Sequence, residues 1–211
     1  MMDSYDHDYF IVLNDYHEQT IYTKPFKKTA NRNYEFEKLT LGQEPLFFEN
    51  GYKEEAIENG INLPVTDVLM DGVLPIISTK LRDKIKHMKF KGMQLYPSVY
   101  IDDKEQWHED YWCMNFWEEV DYWDKEKSKL SKTSQKRLAA NPNALVVDIY
   151  KYVLDADKLD RIPLSERLIF KMDRGMGYVF IHYELAKILM EDNPSGIKLV
   201  RVSQFEEGMQ F

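Results

Sequence analysis

The stretch Ile76-Ile77-Ser78-Thr79-Lys80-Leu81, running on to Gly92-Met93-Gln94-Leu95, decides the fold because it returns later in the chain. It reappears as Phe180-Ile181-His182-Tyr183-Glu184-Leu185 through Gly196-Ile197-Lys198-Leu199, at a constant offset of 104 residues, the separation of Gly92 and Gly196. Each copy reads as strand, helix, glycine stop, strand. In the first, Ser78 stands where an N-cap belongs, and Leu81, Ile85 and Met88 recur at spacings of four and three along one helix face. In the second, Leu185, Ile188 and Leu189 form the stripe and Asn193-Pro194 ends it. The spacing predicts helices over 79–89 and 183–192. A hairpin candidate precedes each copy: Val65 to Met70 turning at Asp71-Gly72, and Leu168 to Met172 turning around Arg174-Gly175.

A helix with one apolar face needs a surface to bury it against, and a sheet is the natural partner. The expected fold class is therefore α+β: a mixed sheet with two strand–helix–strand units packed as a single-domain sandwich. The expected domain covers 1–211, with an irregular part over 1–64, a first half over 65–124 and a second half over 144–205. In the irregular part, Tyr9 to Leu13 reads as a short strand and residues 14–33 as a polar loop. Tyr34 and Phe36 alternate with acids and predict a half-buried strand over 34–41. Residues 52–59 favour helix, with Gly60 at the C-cap. Between the halves, Lys125 to Asn143 mixes lysines with serines and reads as a solvated loop carrying a short exposed helix over 133–140. No aromatic residues interleave there, as a nucleic-acid patch would require.

Composition narrows the function classes. Among 211 residues, 44% are hydrophobic and 14% aromatic, enough for a continuous core, and glycine plus proline make only about 8%. The net charge of −8 disfavours nucleic acid and anionic membrane as partners. Cys113 is the only cysteine, which excludes an intrachain disulfide and a cysteine-rich zinc module. The opening Met1-Met2-Asp3-Ser4-Tyr5-Asp6-His7-Asp8 lacks the basic start and apolar stretch of a secretion signal. The strongly apolar runs reach about four residues where a membrane span needs about 20. A cytoplasmic location is expected.

Chemistry-bearing motifs are scarce. There is no HExxH, no glycine-rich phosphate loop and no GxSxG elbow. His7 and His108 each neighbour acids in sequence, but adjacent strand residues point to opposite faces, so neither triplet presents three metal ligands. Asp173 to Gly177 reads as a hairpin turn, His182 as a helix-capping histidine and Cys113 as a buried, inert thiol. No catalytic residue, metal or cofactor is assigned. The candidate partner-binding residues are Trp107, Glu109, Asp110, Trp117, Glu118, Glu119, Asp121, Trp123 and Asp124. All four tryptophans fall between 107 and 123, interleaved with carboxylates. Tryptophan is enriched at binding hot spots and carboxylates select a cationic partner. The competing reading assigns Trp112 and Cys113 to Phe116 to a core strand, with only the flanking acids in water.

Several stretches together resemble the immunity proteins of bacterial polymorphic toxin systems. Gly42 to Leu46 resembles the family's Gly-x-x-x-Leu opening, and Thr66-Asp67-Val68-Leu69 precedes Ile76-Ile77-Ser78-x-x-Leu81 in the family order. Tyr96-Pro97-x-Val99 is similar to its strand after the helix, and Tyr111-x-x-x-Asn115 with Asp121 to its central tyrosine, asparagine and aspartate. Leu168 to Lys171, Ile181-x-x-x-Leu185 and Gly196 to Leu199 resemble its terminal segment, the likeness running over about residues 42–205. Lys171 departs from an expected arginine and His182 from an expected serine. The resemblance implies a non-enzymatic protein that neutralises a cognate toxin by covering its active site or groove. The rival classes are a hydrolase-type cytoplasmic enzyme and a protein-binding module in signalling.

Overall fold

The two echoing segments become two copies of one arrangement in the computed structural model, which describes residues 5–16, 20–146 and 148–209. Met1 to Ser4, part of the opening read above for a signal, lie outside them. The strands run in chain order as β1 (Tyr9–Asn14), β2 (Thr23–Pro25), β3 (Leu46–Asn50), β4 (Val68–Asp71), β5 (Leu74–Ser78), β6 (Met93–Ile101) and β7 (Trp107–Phe116). They continue as β8 (Glu119–Val120), β9 (Lys129–Leu130), β10 (Ile149–Lys151), β11 (Ile169–Met172), β12 (Val179–His182) and β13 (Ile197–Arg201). The helices are α1 (Lys53–Glu58), α2 (Thr79–Ile85), α3 (Lys132–Ala140), α4 (Ala156–Leu159) and α5 (Tyr183–Met190). One sheet has the order β2-β3-β6-β7-β5-β4, a second the order β13-β1-β12-β11-β8, and β9 pairs with β10.

In the first copy, β5 and β6 flank β7 and both run antiparallel to it, with α2 crossing between them. In the second, β12 and β13 flank β1 in the same way, with α5 crossing between them. The hairpins β4–β5 and β11–β12 extend each unit by one strand. The inserted strand differs in origin: β7 follows its unit directly, whereas β1 arrives from the other end of the chain. The α+β class and the packed sheets stand as expected, and each unit has a sheet of its own.

One core contains residues of both sheets, including Val12, Ile77, Met114 and Ile181, together with Leu81 and Ile85 of α2 and Leu185 and Leu189 of α5. A second core lies on the other side of β1, where Tyr9, Ile11, Leu13 and Phe180 meet Trp123, Tyr152 and Phe205. Strand β1 thus feeds alternate side chains to both cores, as the period of two dictates. Each large apolar side chain it buries contributes about 1.5–3 kcal/mol, in addition to its hydrogen bonds to β12 and β13. Outside the cores, Lys84 of α2 reaches Asp192 at 2.8 Å and Glu191 at 3.1 Å beyond α5.

The equivalent glycines explain how each helix returns to its sheet. Gly92 (φ +67°) and Gly196 (φ +82°) both sit in the left-handed region, and both are approached closely. A Cβ on Gly196 would lie 2.1 Å from the Val68 carbonyl oxygen, and one on Gly92 would lie 2.6 Å from the Glu118 Cβ. Beside Gly196, Ser195 Oγ accepts from the Asp67 amide at 3.0 Å, while the Ser195 amide donates to the Asp67 carboxylate at 3.0 Å. That contact ties the hairpin of one unit to the helix end of the other.

Three expectations need correction. Residues 34–37 form a turn, because the Phe36 and Glu37 amides both donate to the Asn33 carbonyl; Phe36 is 62% exposed while Tyr34 is buried. The strand lies later, at β3, where Leu46 and Phe48 face inward. The polar stretch 14–33 holds β2 and a 3-10 turn over Lys27–Asn31. Ser78 occupies the N-cap of α2, but its hydroxyl makes no capping bond, and the helix stops at Ile85. By contrast, His182 caps α5 as expected, its Nδ1 accepting from the Glu184 amide at 3.2 Å. α3 covers the predicted exposed helix, and Ser131 caps it.

Two outcomes follow from these contacts. Gly196→Ala lowers stability by about 2 kcal/mol or more in chemical denaturation, through the positive φ and the carbonyl in its way; an unchanged midpoint contradicts this. Burial, aided by the Arg167 guanidinium, holds the His182 imidazole below its ordinary 6.5, against the pull of Asp8. The folded chain therefore refuses a proton that the unfolded chain accepts. This contribution to stability is complete above about pH 6.5 and is lost as the pH falls through the depressed value. His182→Asn, which keeps an N-cap acceptor, flattens stability between about pH 7 and pH 5; an unaltered slope contradicts it.

Candidate functional site

Strand β7 overhangs its neighbour. Its residues Tyr111 to Cys113 pair with β5, but Trp107 and His108 pair only with Ile101 and Tyr100 of β6. On the side away from β6, the first residues of β7 form a free strand edge, closed at Asp110 where the Thr79 hydroxyl donates to its carbonyl at 3.0 Å. Trp107 is 55% exposed and rests edge-on against Phe47, ring centroids 5.6 Å apart. Glu109 and Asp110 are exposed, and neither makes an ion pair among the described residues. His108 stacks on Tyr100 and its Nε2 lies 3.2 Å from the Asp102 carboxylate. Burial pushes the Asp102 carboxyl up, but hydrogen bonds from the Gln106 amide, His108 and the Lys104 amide outweigh it and hold the group below its usual range.

The remaining nominated residues lie past the other end of β7. Six residues of strand, 111–116, separate the two groups by more than about 20 Å, so they do not form one face. Trp117 is half-buried with the Lys38 ammonium 4.6 Å from its ring centre, and Glu118 is exposed. Glu119 spends its charge on buried Lys171, 2.8 Å away across the parallel pairing of β8 and β11. Asp121 pairs with Lys125 at 2.9 Å and Lys158 at 3.6 Å. Asp124 accepts from the Glu126 and Lys127 amides and pairs with the Lys127 ammonium at 2.8 Å. Burial raises its carboxyl, and the contacts to Lys127 override that and lower it. Trp123 is 0% exposed, packed edge-on against Tyr152, and offers no surface. Its sequence neighbours are acids, yet the core around it is drawn from β1 and from residues 130–205, which local patterning does not report.

The motif residues serve the architecture. Asn115, fully buried, donates to the Tyr34 carbonyl at 2.7 Å and the Glu37 carbonyl at 2.8 Å. Its Oδ1 accepts from the Leu39 amide at 3.1 Å and from Gln94 at 2.8 Å. A single side chain thus fastens the segment 34–39 over the sheet. The Tyr111 hydroxyl donates to the Thr66 carbonyl, and Tyr96 binds the Glu44 carbonyl at 3.0 Å while accepting from Arg32. Cys113 is buried, and desolvation pushes its thiol well up. Among the described residues, no group of three or more His, Cys, Asp or Glu is placed to hold a metal. No helix there is long and apolar enough to cross a membrane.

One surface was not anticipated. Between α2 and strands β6 and β7 lies an open groove of about 450 Å³, lined by Trp112 and Trp117 with Lys38, Arg82, Lys86 and Lys89. The signal was present in the density of cations between Lys80 and Lys91, but nothing local in the sequence brings them to the tryptophans.

A family model described as the Immunity protein family (Imm11) matches residues 27–204, most of the chain. The protein belongs to that immunity protein family. No curated protein matches the sequence.

Asn115→Ala removes four hydrogen bonds and takes the partner from the Tyr34 and Glu37 carbonyls and the Leu39 amide, so it lowers stability by about 2–4 kcal/mol. Trp107→Ala, at an exposed position, changes it by less than about 1 kcal/mol. Thermal and urea unfolding of both variants check this, and equal losses contradict it.

Proposed function

We propose that this protein binds a cognate toxin and neutralises it by occlusion, without catalysis. The observation that carries the reading is membership of the immunity protein family over residues 27–204. Support comes from the free edge of β7. There a large exposed indole stands beside two carboxylates, Glu109 and Asp110, that make no ion pair among the described residues. An exposed tryptophan supplies contact area at low conformational cost, and unpaired carboxylates steer a basic surface into place. Trp117 and Glu118 stand at the far end of the strand and form no part of this edge. The charges of Glu119, Asp121 and Asp124 are engaged within the fold and contribute little to recognition. A tight complex would bury about 1,600 Å² in total.

The test is co-expression with the toxin encoded beside this chain, followed by binding of the purified pair. Growth is restored by the intact protein. The triple variant Trp107→Ala, Glu109→Lys, Asp110→Lys weakens binding by about 100-fold, partly through a slower, salt-sensitive on-rate. Persistent toxicity, or undiminished affinity of the triple variant, overturns the reading.

A further inference from the structure

The groove beside α2 carries the opposite charge to the molecule. Four cations, Lys38, Arg82, Lys86 and Lys89, line it on a chain whose net charge is −8. A single carboxylate, Asp83, answers two of them, at 2.8 Å from Arg82 and 3.0 Å from Lys86. Lys38 and Lys89 are exposed and make no ion pair among the described residues. The floor is apolar, with Met88, Phe90, Met93 and Leu95 between the two indoles.

We infer that this groove is a docking site for an acidic segment of a partner protein, carboxylates meeting the cationic rim and one large aliphatic side chain entering between the indoles. Charge complementarity selects the occupant: four cations share one carboxylate, and Lys38 and Lys89, with no ion pair among the described residues, gain most from further carboxylates. The occupancy of the indoles argues against a nucleic acid. A base stacks on an open ring face, but Lys38 sits over Trp117 at 4.6 Å and Arg82 over Trp112 at 4.2 Å. The Trp112 Nε1–H is also taken, donating to the Thr79 hydroxyl at 2.9 Å. The Trp112 indole is thereby fixed between Arg82 and Thr79 at the side of the groove. This site is separate from the β7 edge proposed for the toxin, and it stands or falls independently.

The experiment is calorimetric titration of the full chain with a short synthetic peptide of alternating glutamate and leucine. The matching lysine–leucine peptide and a single-stranded oligothymidylate serve as comparisons. The acidic peptide binds, its affinity falls with added salt, and the double variant Lys38→Glu, Lys89→Glu weakens it about tenfold or more. Both positions are exposed, so the variant keeps its fold, which an unchanged thermal midpoint verifies. Absence of binding overturns the inference. So does equal binding by the double variant, equal binding of the basic peptide, or tighter binding of the oligonucleotide.

Discussion

Strand β7 holds the molecule together and presents its most exposed indole on one continuous backbone. From Tyr111 to Phe116 it is clasped between β5 and β6, and Asn115 draws the segment 34–39 down onto it. This interior half leaves little freedom of register: a slip of one residue would send Asn115 to the opposite face and strand four hydrogen bonds. Because β5 pairs only as far as Tyr111, the same register obliges Trp107 to Asp110 to project past their neighbour. The exposed edge is therefore a consequence of how the core is built.

The residues of the family-like motifs act as fasteners. Thr66 receives the Tyr111 hydroxyl, Asp67 receives Ser195, and Gly196 gives way so that β4 can approach the end of α5. The last two contacts join the two strand–helix–strand units to each other. β1 completes the second unit from a distance, with Tyr9, Ile11 and Leu13 in one core and Val12 in the other.

Much of this was legible in the sequence because it depends on local chemistry. The helical stripe of Leu185, Ile188 and Leu189, the turn glycines and the capping histidine report the second unit directly, and Asp71-Gly72 reports the first hairpin. What was hidden depends on distant partners. Tyr34 and Phe36 alternate like a strand, yet Asn115, far along the chain, takes the carbonyls of a turn there. Trp123 sits among acids in sequence and among Tyr152 and Leu154 in space. The carboxylates of the tryptophan-rich stretch look alike on paper, but Glu119 and Asp121 find Lys171 and Lys158, while Glu109 and Asp110 find no cation among the described residues. The same long-range assembly gathers the lysines of α2 and its flank around Trp112 and Trp117.

Charge on this chain is thus distributed. Asp121 and Asp124 are neutralised by Lys125, Lys127 and Lys158, carboxylates stand unpaired at the β7 edge, and cations are exposed beside α2. The central claim is that recognition uses the overhanging end of β7 while its clasped end stays fixed. Amide hydrogen exchange, measured on the free protein and on its complex with the cognate toxin, tests this directly. The account predicts slow exchange from Tyr111 to Phe116 in both states, with new protection in the complex centred on Trp107 to Asp110. New protection confined to residues 121–127, with 107–110 exchanging as in the free protein, would contradict it.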